Sequence, residues 1–266
     1  MRKQAIGIFD SGLGGLTILK ALRKALPHEN LIYFGDTANV PYGSKSKETV
    51  SQFSLNIARF LEAEQVKLII VACNTASALA LPTLRKHIRL PIMGVIEPGA
   101  QKAAQTTQNN NIAVLGTEAT VRSKAYPKTI LKYAPGAKIF QQACPLFVPL
   151  VEENWHKKPM ASLVAREYLS AIQKTPADTV ILGCTHYPVL KPVLTKILGR
   201  KIKLVDSSDT TAEAARKFLT EKHLLENIGR GTLTVYTSDD PKRFKRLAGH
   251  LLGEEIGTVR LKKLNV

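Results

Sequence analysis

Short aliphatic runs that alternate with amphipathic segments are the feature of this sequence that most restricts its fold. The runs have the length and composition of buried strands; they are 5–10, 31–36, 67–73, 92–95, 111–116, 138–143, 179–184, 202–206 and 232–238. The clearest helices between them, 46–65 and 209–222, begin at Ser or Asp and carry apolar residues at helical spacing. The alternation predicts an α/β fold in which mostly parallel sheets are flanked by helices.

The composition is that of a globular protein of the cytoplasm. A chain of 266 residues has room for one large or two ordinary domains, and its first residues lack the apolar block of a signal peptide. It has 3 cysteines, an odd number that does not suit a disulfide framework. No apolar run approaches the length needed to cross a membrane. We therefore expect a cytoplasmic protein with free thiols and no membrane contact.

The charge balance is strongly basic. The chain carries 38 Lys and Arg against 21 Asp and Glu, for a net charge of +17. This charge favours anionic ligands, and nucleic-acid contact through the basic surface is one interpretation. The basic clusters at 85–89, 156–158 and 241–246 lie in no recognisable nucleic-acid module, however. A solvated basic surface is the favoured interpretation, so nucleic-acid binding is not expected as the primary role.

The two halves of the chain resemble each other at their cysteine-bearing strands. The segment "LIIVACNTASA" (68–78) parallels "TVILGCTHYPV" (179–189), and this alignment pairs Cys73 with Cys184. The segments 5–12 and 111–119 form a second such pair, with Ser11 opposite Thr117. Ligands of open α/β sheets bind at the carboxyl ends of the strands. The pattern predicts two related units that face each other across a cleft, each contributing one cysteine.

The two cysteines have different chemical groups next to them in the sequence. Cys73 precedes a helix whose free N–H groups favour a thiolate, although a buried packing cysteine is the alternative. Cys184 is followed by Thr185 and by His186, which is placed to exchange a proton with it. A zinc site lacks the usual ligand spacing, so no metal is expected. A Cys-dependent hydrolase or lyase is a further alternative, but it leaves Cys73 without a role.

The glycine-rich segment 9–19 is interpreted as a tight turn that opens a helix. It has no lysine for a phosphate-binding P-loop, and Thr17 stands where the dinucleotide fingerprint needs its third glycine. The turn places Asp10 and Ser11 at the tip of the first strand. Asp10 is suited to bind a substrate ammonium group, to orient an acid or base, or to cap the helix.

Other candidate residues have both a functional and a structural interpretation. Tyr42 and Gly43 lie in a turn whose backbone N–H groups could hold a carboxylate, although an ordinary connecting loop fits equally. Glu152 and Glu153 follow an apolar run and either reach the cleft or end a helix in solvent. Cys144 precedes a proline and an apolar run, and we interpret it as a packing residue.

Four segments of the chain, in this order and spacing, carry a family resemblance. "FDSGLGGLT", "YFGDTANVPYGSKS", "ACNTASA" and "LGCTHYPVL" closely resemble the motifs of the glutamate racemases within the aspartate/glutamate racemase superfamily. The resemblance extends from about Ile6 to Asp206. It implies two flavodoxin-like domains related by pseudo-symmetry, 1–97 plus 208–266 and 98–207, with the active site between them.

The resemblance also implies an activity. It implies interconversion of L- and D-glutamate without a cofactor, which supplies D-glutamate for peptidoglycan precursors. Glutamate is then the small-molecule partner, and a homodimer is compatible with the sequence. Aspartate, or another amino acid, is the alternative substrate within the superfamily. Because the chain begins shortly before its first strand, we expect no dependence on a cell-wall precursor as activator.

The site residues implied by the resemblance fall into two groups. Cys73 and Cys184 are the paired acid and base, and Asp10, Glu152 and His186 assist them, with Glu153 as the alternative to Glu152. The substrate is held by Asp10, Ser11, Tyr42, Gly43, Asn74, Thr75, Thr185 and His186. Two groups on opposite sides of the α-carbon explain inversion, and a thiol with a pKa of about 8.5 needs only a modest shift to act as a base.

Overall fold

Ten parallel strands form the framework of the described part of the chain, which in this computed structural model comprises residues 3–253 and 255–264. The strands are β1 (Ile6–Asp10), β2 (Leu31–Gly35), β3 (Leu68–Val71), β4 (Ile92–Gly94), β5 (Asn111–Gly116), β6 (Lys138–Ala143), β7 (Thr179–Gly183), β8 (Lys203–Asp206), β9 (Leu233–Thr237) and β10 (Val259–Leu261). The expected α/β class with parallel sheets is confirmed. β10 was not predicted, because its side chains are exposed or half-buried and form no apolar run.

The strands form two sheets. The larger has the order β10-β9-β2-β1-β3-β4, and the smaller has the order β6-β5-β7-β8. Every pair of neighbouring strands is parallel. In the larger sheet, Ile8 of β1 pairs with Tyr33 of β2 on one side and with Ile70 of β3 on the other. Parallel pairing brings the carboxyl ends of neighbouring strands to one edge of each sheet.

Helices cover both faces of each sheet. They are α1 (Leu16–Ala25), α2 (Lys47–Ala63), α3 (Asn74–Leu79), α4 (Leu81–His87), α5 (Ile96–Thr106), α6 (Glu118–Ser123), α7 (Ala125–Tyr133), α8 (Phe147–Glu152), α9 (Pro159–Gln173), α10 (Lys191–Leu198), α11 (Ser207–Glu221) and α12 (Pro241–Leu252). The predicted helices 46–65 and 209–222 correspond to α2 and α11. The second begins earlier than predicted, because Asp206 caps it by accepting a hydrogen bond from the Ser208 N–H at 2.8 Å.

The core is divided by the alternation of side chains along the central strands. In β1, Ile6 and Ile8 pack into one apolar cluster, whereas Phe9 packs into the cluster on the opposite face. In β5, Leu115 and Val114 separate in the same way. A strand buried on both faces must be apolar at consecutive positions, which is why these runs are continuous in the sequence.

The sheets use different parts of the chain. Residues 6–94 and 233–261 supply the strands of the larger sheet, and residues 111–206 supply those of the smaller. After β8 the chain returns through α11, which packs on α1 and α5. This arrangement supports the division into 1–97 plus 208–266 and 98–207, which we retain as a proposal; residues 1, 2, 254, 265 and 266 lie outside the described residues. Within the described ranges, no helix is both long and apolar enough to span a bilayer.

Candidate active site

A cavity of about 490 Å³ lies where the carboxyl ends of the two sheets face each other. Its wall is formed by the segments that follow β1, β2 and β3 of the larger sheet and β5, β6 and β7 of the smaller. Of the predicted site residues, those that line it are Ser11, Tyr42, Gly43, Cys73, Asn74, Thr75, Glu152, Cys184, Thr185 and His186. The volume is within the range usual for small-molecule sites.

Cys73 stands at the junction of β3 and α3. Its Sγ accepts a hydrogen bond from the Ala76 N–H at 3.5 Å and lies 3.8 Å from Ser11 Oγ. Burial, followed by the negative charge of Asp10, raises the pKa of this thiol to about 12. The N–H of Ala76 at the helix start lowers the pKa of Cys73, as expected, but this one donor does not outweigh desolvation and the neighbouring carboxylate.

Cys184 belongs to a chain of three contacts that begins at the end of β7. Its Sγ lies 3.7 Å from Nδ1 of His186, and Nε2 of the same ring lies 3.1 Å from Oε1 of Glu152. Burial by itself would lower the pKa of His186, but the contacts to Cys184 and Glu152 raise it to about 10. Glu152 makes this contact, whereas the neighbouring Glu153 is exposed at the end of α8.

The turn after β1 touches the turn after β7. Thr17 donates its hydroxyl to the Thr185 carbonyl at 3.1 Å. A side chain on Gly14 would place its Cβ 2.3 Å from Thr185 Oγ1 and 2.6 Å from the His186 ring, distances that no real Cβ contact shows. The absence of a side chain at Gly14 is therefore what lets the two turns approach this closely.

Asp10 is the one predicted site residue that does not line the cavity. Its carboxylate is completely buried, accepts a hydrogen bond from the Gly12 N–H at 3.0 Å, and accepts the Thr185 hydroxyl at 3.4 Å. Burial raises the pKa of Asp10, and the charge of His186 opposes that rise. Asp10 thus lies behind the wall, close enough to act on Cys73 and His186 through its charge.

The loop after β2 is held by a buried carboxylate. Asp36 accepts hydrogen bonds from the Tyr42 hydroxyl at 2.5 Å and from Ser238 at 2.8 Å. The Tyr42 side chain is thereby fixed in the interior. Gly43 packs against Thr117 of the other sheet's segment, where a Cβ would lie 2.8 Å from the Thr117 Cβ. The backbone of this loop forms one side of the cavity.

Contacts at the start of α3 cross from one sheet's segment to the other. Thr75 Oγ1 lies 2.9 Å from Thr117 Oγ1 and 3.3 Å from Thr120 Oγ1. The Tyr126 hydroxyl donates to Asn74 Oδ1 at 2.7 Å. Sequence reasoning missed Thr120 and Tyr126 because nothing in their local pattern distinguishes them; Thr117 carried a signal, its match to Ser11 in the internal repeat.

Cys144 does not line the cavity. It is completely buried among apolar residues beside Phe147 and Leu182. This position agrees with its interpretation as a packing residue. Within the described ranges, no three His, Cys, Asp or Glu side chains are grouped so that they could hold a metal ion.

The two parallel α/β units and the chain that forms them are matched by enzymes of one family, the amino-acid racemases. The chain from 16 to 215 matches the family model described as Asp/Glu/Hydantoin racemase. The glutamate racemase of Geobacter metallireducens is 50% identical over 257 residues, which is 96% of this chain and 95% of the relative.

Solved structures agree with this match. The glutamate racemase of Thermus thermophilus, in complex with β-chloro-D-alanine, superposes with a TM-score of 0.90 at 44% identity and covers 99% of this chain and 98% of its own. The glutamate racemase of Francisella tularensis, in complex with D-glutamate, gives a TM-score of 0.94 at 37% identity over 100% and 99% of the two chains. The chain belongs to the Asp/Glu racemase family and is an isomerase.

Proposed function

We propose that this protein interconverts L- and D-glutamate by a two-base mechanism in which Cys73 and Cys184 are the acid and the base, and in which no cofactor takes part. The observation that carries the proposal is that these two thiols, each from the strand end of a different sheet, line one cavity of small-molecule size. The names of the relatives supply the substrate. A hydrolase would need only one of the two thiols.

The two thiols have different surroundings, which suit opposite starting states. The raised pKa of Cys73 keeps it as a thiol at neutral pH. The raised pKa of His186 keeps the imidazole protonated at neutral pH, and its Nδ1 lies 3.7 Å from Cys184 Sγ. We therefore propose that Cys73 starts as the proton donor and that Cys184, beside the protonated imidazole, starts as the proton acceptor.

One turnover exchanges these states. The thiolate takes the proton from Cα as the Cα–H bond breaks, and the thiol on the other side gives its proton to the opposite face of the carbanion. The enantiomer is formed, the former thiol is now a thiolate, and the reverse reaction uses the pair in the opposite sense. Glu152 accepts a hydrogen bond from Nε2 of the protonated imidazole at 3.1 Å and so holds the ring beside Cys184.

The carbanion needs fixed electrostatic stabilisation. We assign the α-carboxylate to the donors that follow β3 and β7, which are Asn74, Thr75 and Thr185, because negative charge develops there as Cα loses its proton. The loop backbone at Tyr42 and Gly43, together with Ser11, is assigned to the other carboxylate of glutamate. Asp10 acts from behind the wall, where its charge favours the substrate ammonium group.

The deciding experiment is circular dichroism of L-glutamate incubated with the purified protein and no added cofactor, with L-aspartate as the control substrate. We expect the glutamate signal to decay to zero and the aspartate signal to persist. In heavy water, solvent deuterium should enter Cα of the product. Racemisation that retains the original hydrogen would refute the two-base scheme.

Single substitutions assign the thiols. Cys73→Ala and Cys184→Ala should each abolish racemisation and leave the far-ultraviolet spectrum unchanged; Cys144→Ala is the matched control and should keep the wild-type rate. A near-normal rate in either of the first two variants excludes that cysteine. In the cell, the D-glutamate formed is proposed to enter peptidoglycan precursor synthesis.

A further inference from the structure

The amide of Asn74 has one hydrogen-bonding end that is occupied and one that is not. Asn74 lines the cavity, and only 2% of its surface is exposed. Its Oδ1 accepts the Tyr126 hydroxyl, while its Nδ2 is buried and meets no hydrogen-bond acceptor among the described residues. A buried N–H donor without a partner is costly and points to an acceptor that arrives with a ligand.

The orientation of that amide depends on Tyr126. An asparagine amide can rotate by half a turn and exchange its oxygen and nitrogen. The Tyr126 phenol requires an acceptor for its proton, and Oδ1 at 2.7 Å is the acceptor it contacts. Burial and the neighbouring charge of Cys184 raise the pKa of this phenol, so it remains a donor throughout the working pH range.

The Tyr126 ring is itself held in place by close packing. Tyr126 is completely buried on α7. One glycine makes room for its ring, because a Cβ on Gly183, the residue before Cys184, would lie 3.0 Å from Tyr126 Cε2. The packed ring holds the phenol where it contacts Asn74.

The hydrogen bond also joins the two halves of the site. Asn74 follows β3 of the larger sheet, whereas α7 follows β5 of the smaller. We propose that Tyr126 is a positioning residue: it fixes the amide of Asn74 so that Nδ2 donates to the α-carboxylate of the bound amino acid. The proposal rests on the proposed function. It makes the orientation of Asn74 Nδ2 depend on the positions of both sheets.

The test is a double-mutant cycle between Tyr126→Phe and Asn74→Ala, measured as kcat and KM for both glutamate enantiomers. Loss of the hydroxyl leaves the ring in place and frees the amide, so kcat/KM should fall about tenfold in each direction, with KM rising. In the Asn74→Ala background, Tyr126→Phe should have no further effect. Independent, multiplying losses would overturn the proposal, because Tyr126 would then act other than through Asn74.

Tyr187→Phe is the matched control, since it removes another completely buried hydroxyl, one that donates to the Cys144 carbonyl at 2.9 Å. It should keep kcat/KM within about twofold. Equal losses in Tyr126→Phe and the control would mean a general packing effect. Glutamate binding by calorimetry, with rates normalised to folded protein, separates weakened binding from loss of fold. Wild-type behaviour of Tyr126→Phe overturns this proposal alone, whereas an inactive wild type overturns the proposed function.

Discussion

Replacement of Gly14 by alanine tests whether close contact between the two catalytic turns is required. The new Cβ would lie 2.3 Å from Thr185 Oγ1 and 2.6 Å from the His186 ring, whereas ordinary contacts are 3.4–4 Å. Rotation of the threonine hydroxyl would relieve one contact at the loss of its bond to Asp10. The imidazole cannot leave in the same way, because it is buried and held by Cys184 on one nitrogen.

The turns must therefore separate by roughly 1 Å, the size of displacement that costs a well-aligned active site about a hundredfold in rate. We expect kcat/KM for glutamate to fall by about that factor in both directions, with both kcat and KM affected. Overpacking should also lower the free energy of unfolding, by about 1–3 kcal/mol. Racemisation by circular dichroism and urea unfolding measure the two effects.

Gly136→Ala is the control, because a Cβ there meets nothing within 4 Å. It should have wild-type activity and stability. If Gly14→Ala retains kcat/KM within about threefold of the wild type, the turns tolerate separation and their close contact is not required for activity.

Three further substitutions have defined outcomes. Glu152→Gln removes one of the two contacts that raise the pKa of His186 to about 10. The imidazole then loses its proton at a lower pH, so the alkaline limb of the kcat/KM profile should move toward lower pH. An unmoved limb would contradict this role of Glu152. Lys67→Met removes the cation that lies 2.6 Å from the completely buried Glu29 carboxylate. The free energy of unfolding, measured in urea, should fall by about 3–5 kcal/mol. A loss below about 1 kcal/mol would show that the ion pair is not needed for stability. Cys144→Ala should lower the melting temperature by a few degrees with an unchanged racemisation rate, since it removes buried volume outside the cavity.

Much of the site was predictable because its features depend on residues that are neighbours in the sequence. Continuous apolar runs arise where a strand is buried on both faces, so the sequence predicts parallel strands at these positions. The end of each strand is where the cysteines stand, and the repeat of this pattern at Cys73 and Cys184 predicts two walls of one cleft. The missed strand β10 shows the limit, since an exposed edge strand requires no apolar pattern.

The sequence by itself determined the α/β class, the strand ends that carry the thiols, and the glycine turn beside Asp10, because each depends on neighbouring residues. The tertiary structure decided what depends on distant ones: that Glu152 contacts His186, that Tyr126 reaches Asn74, and that burial and the Asp10 charge raise the pKa of the Cys73 thiol. Proton affinity and hydrogen-bond direction are set by which groups meet in space and how much water they lose, and neither quantity has a local pattern in the chain.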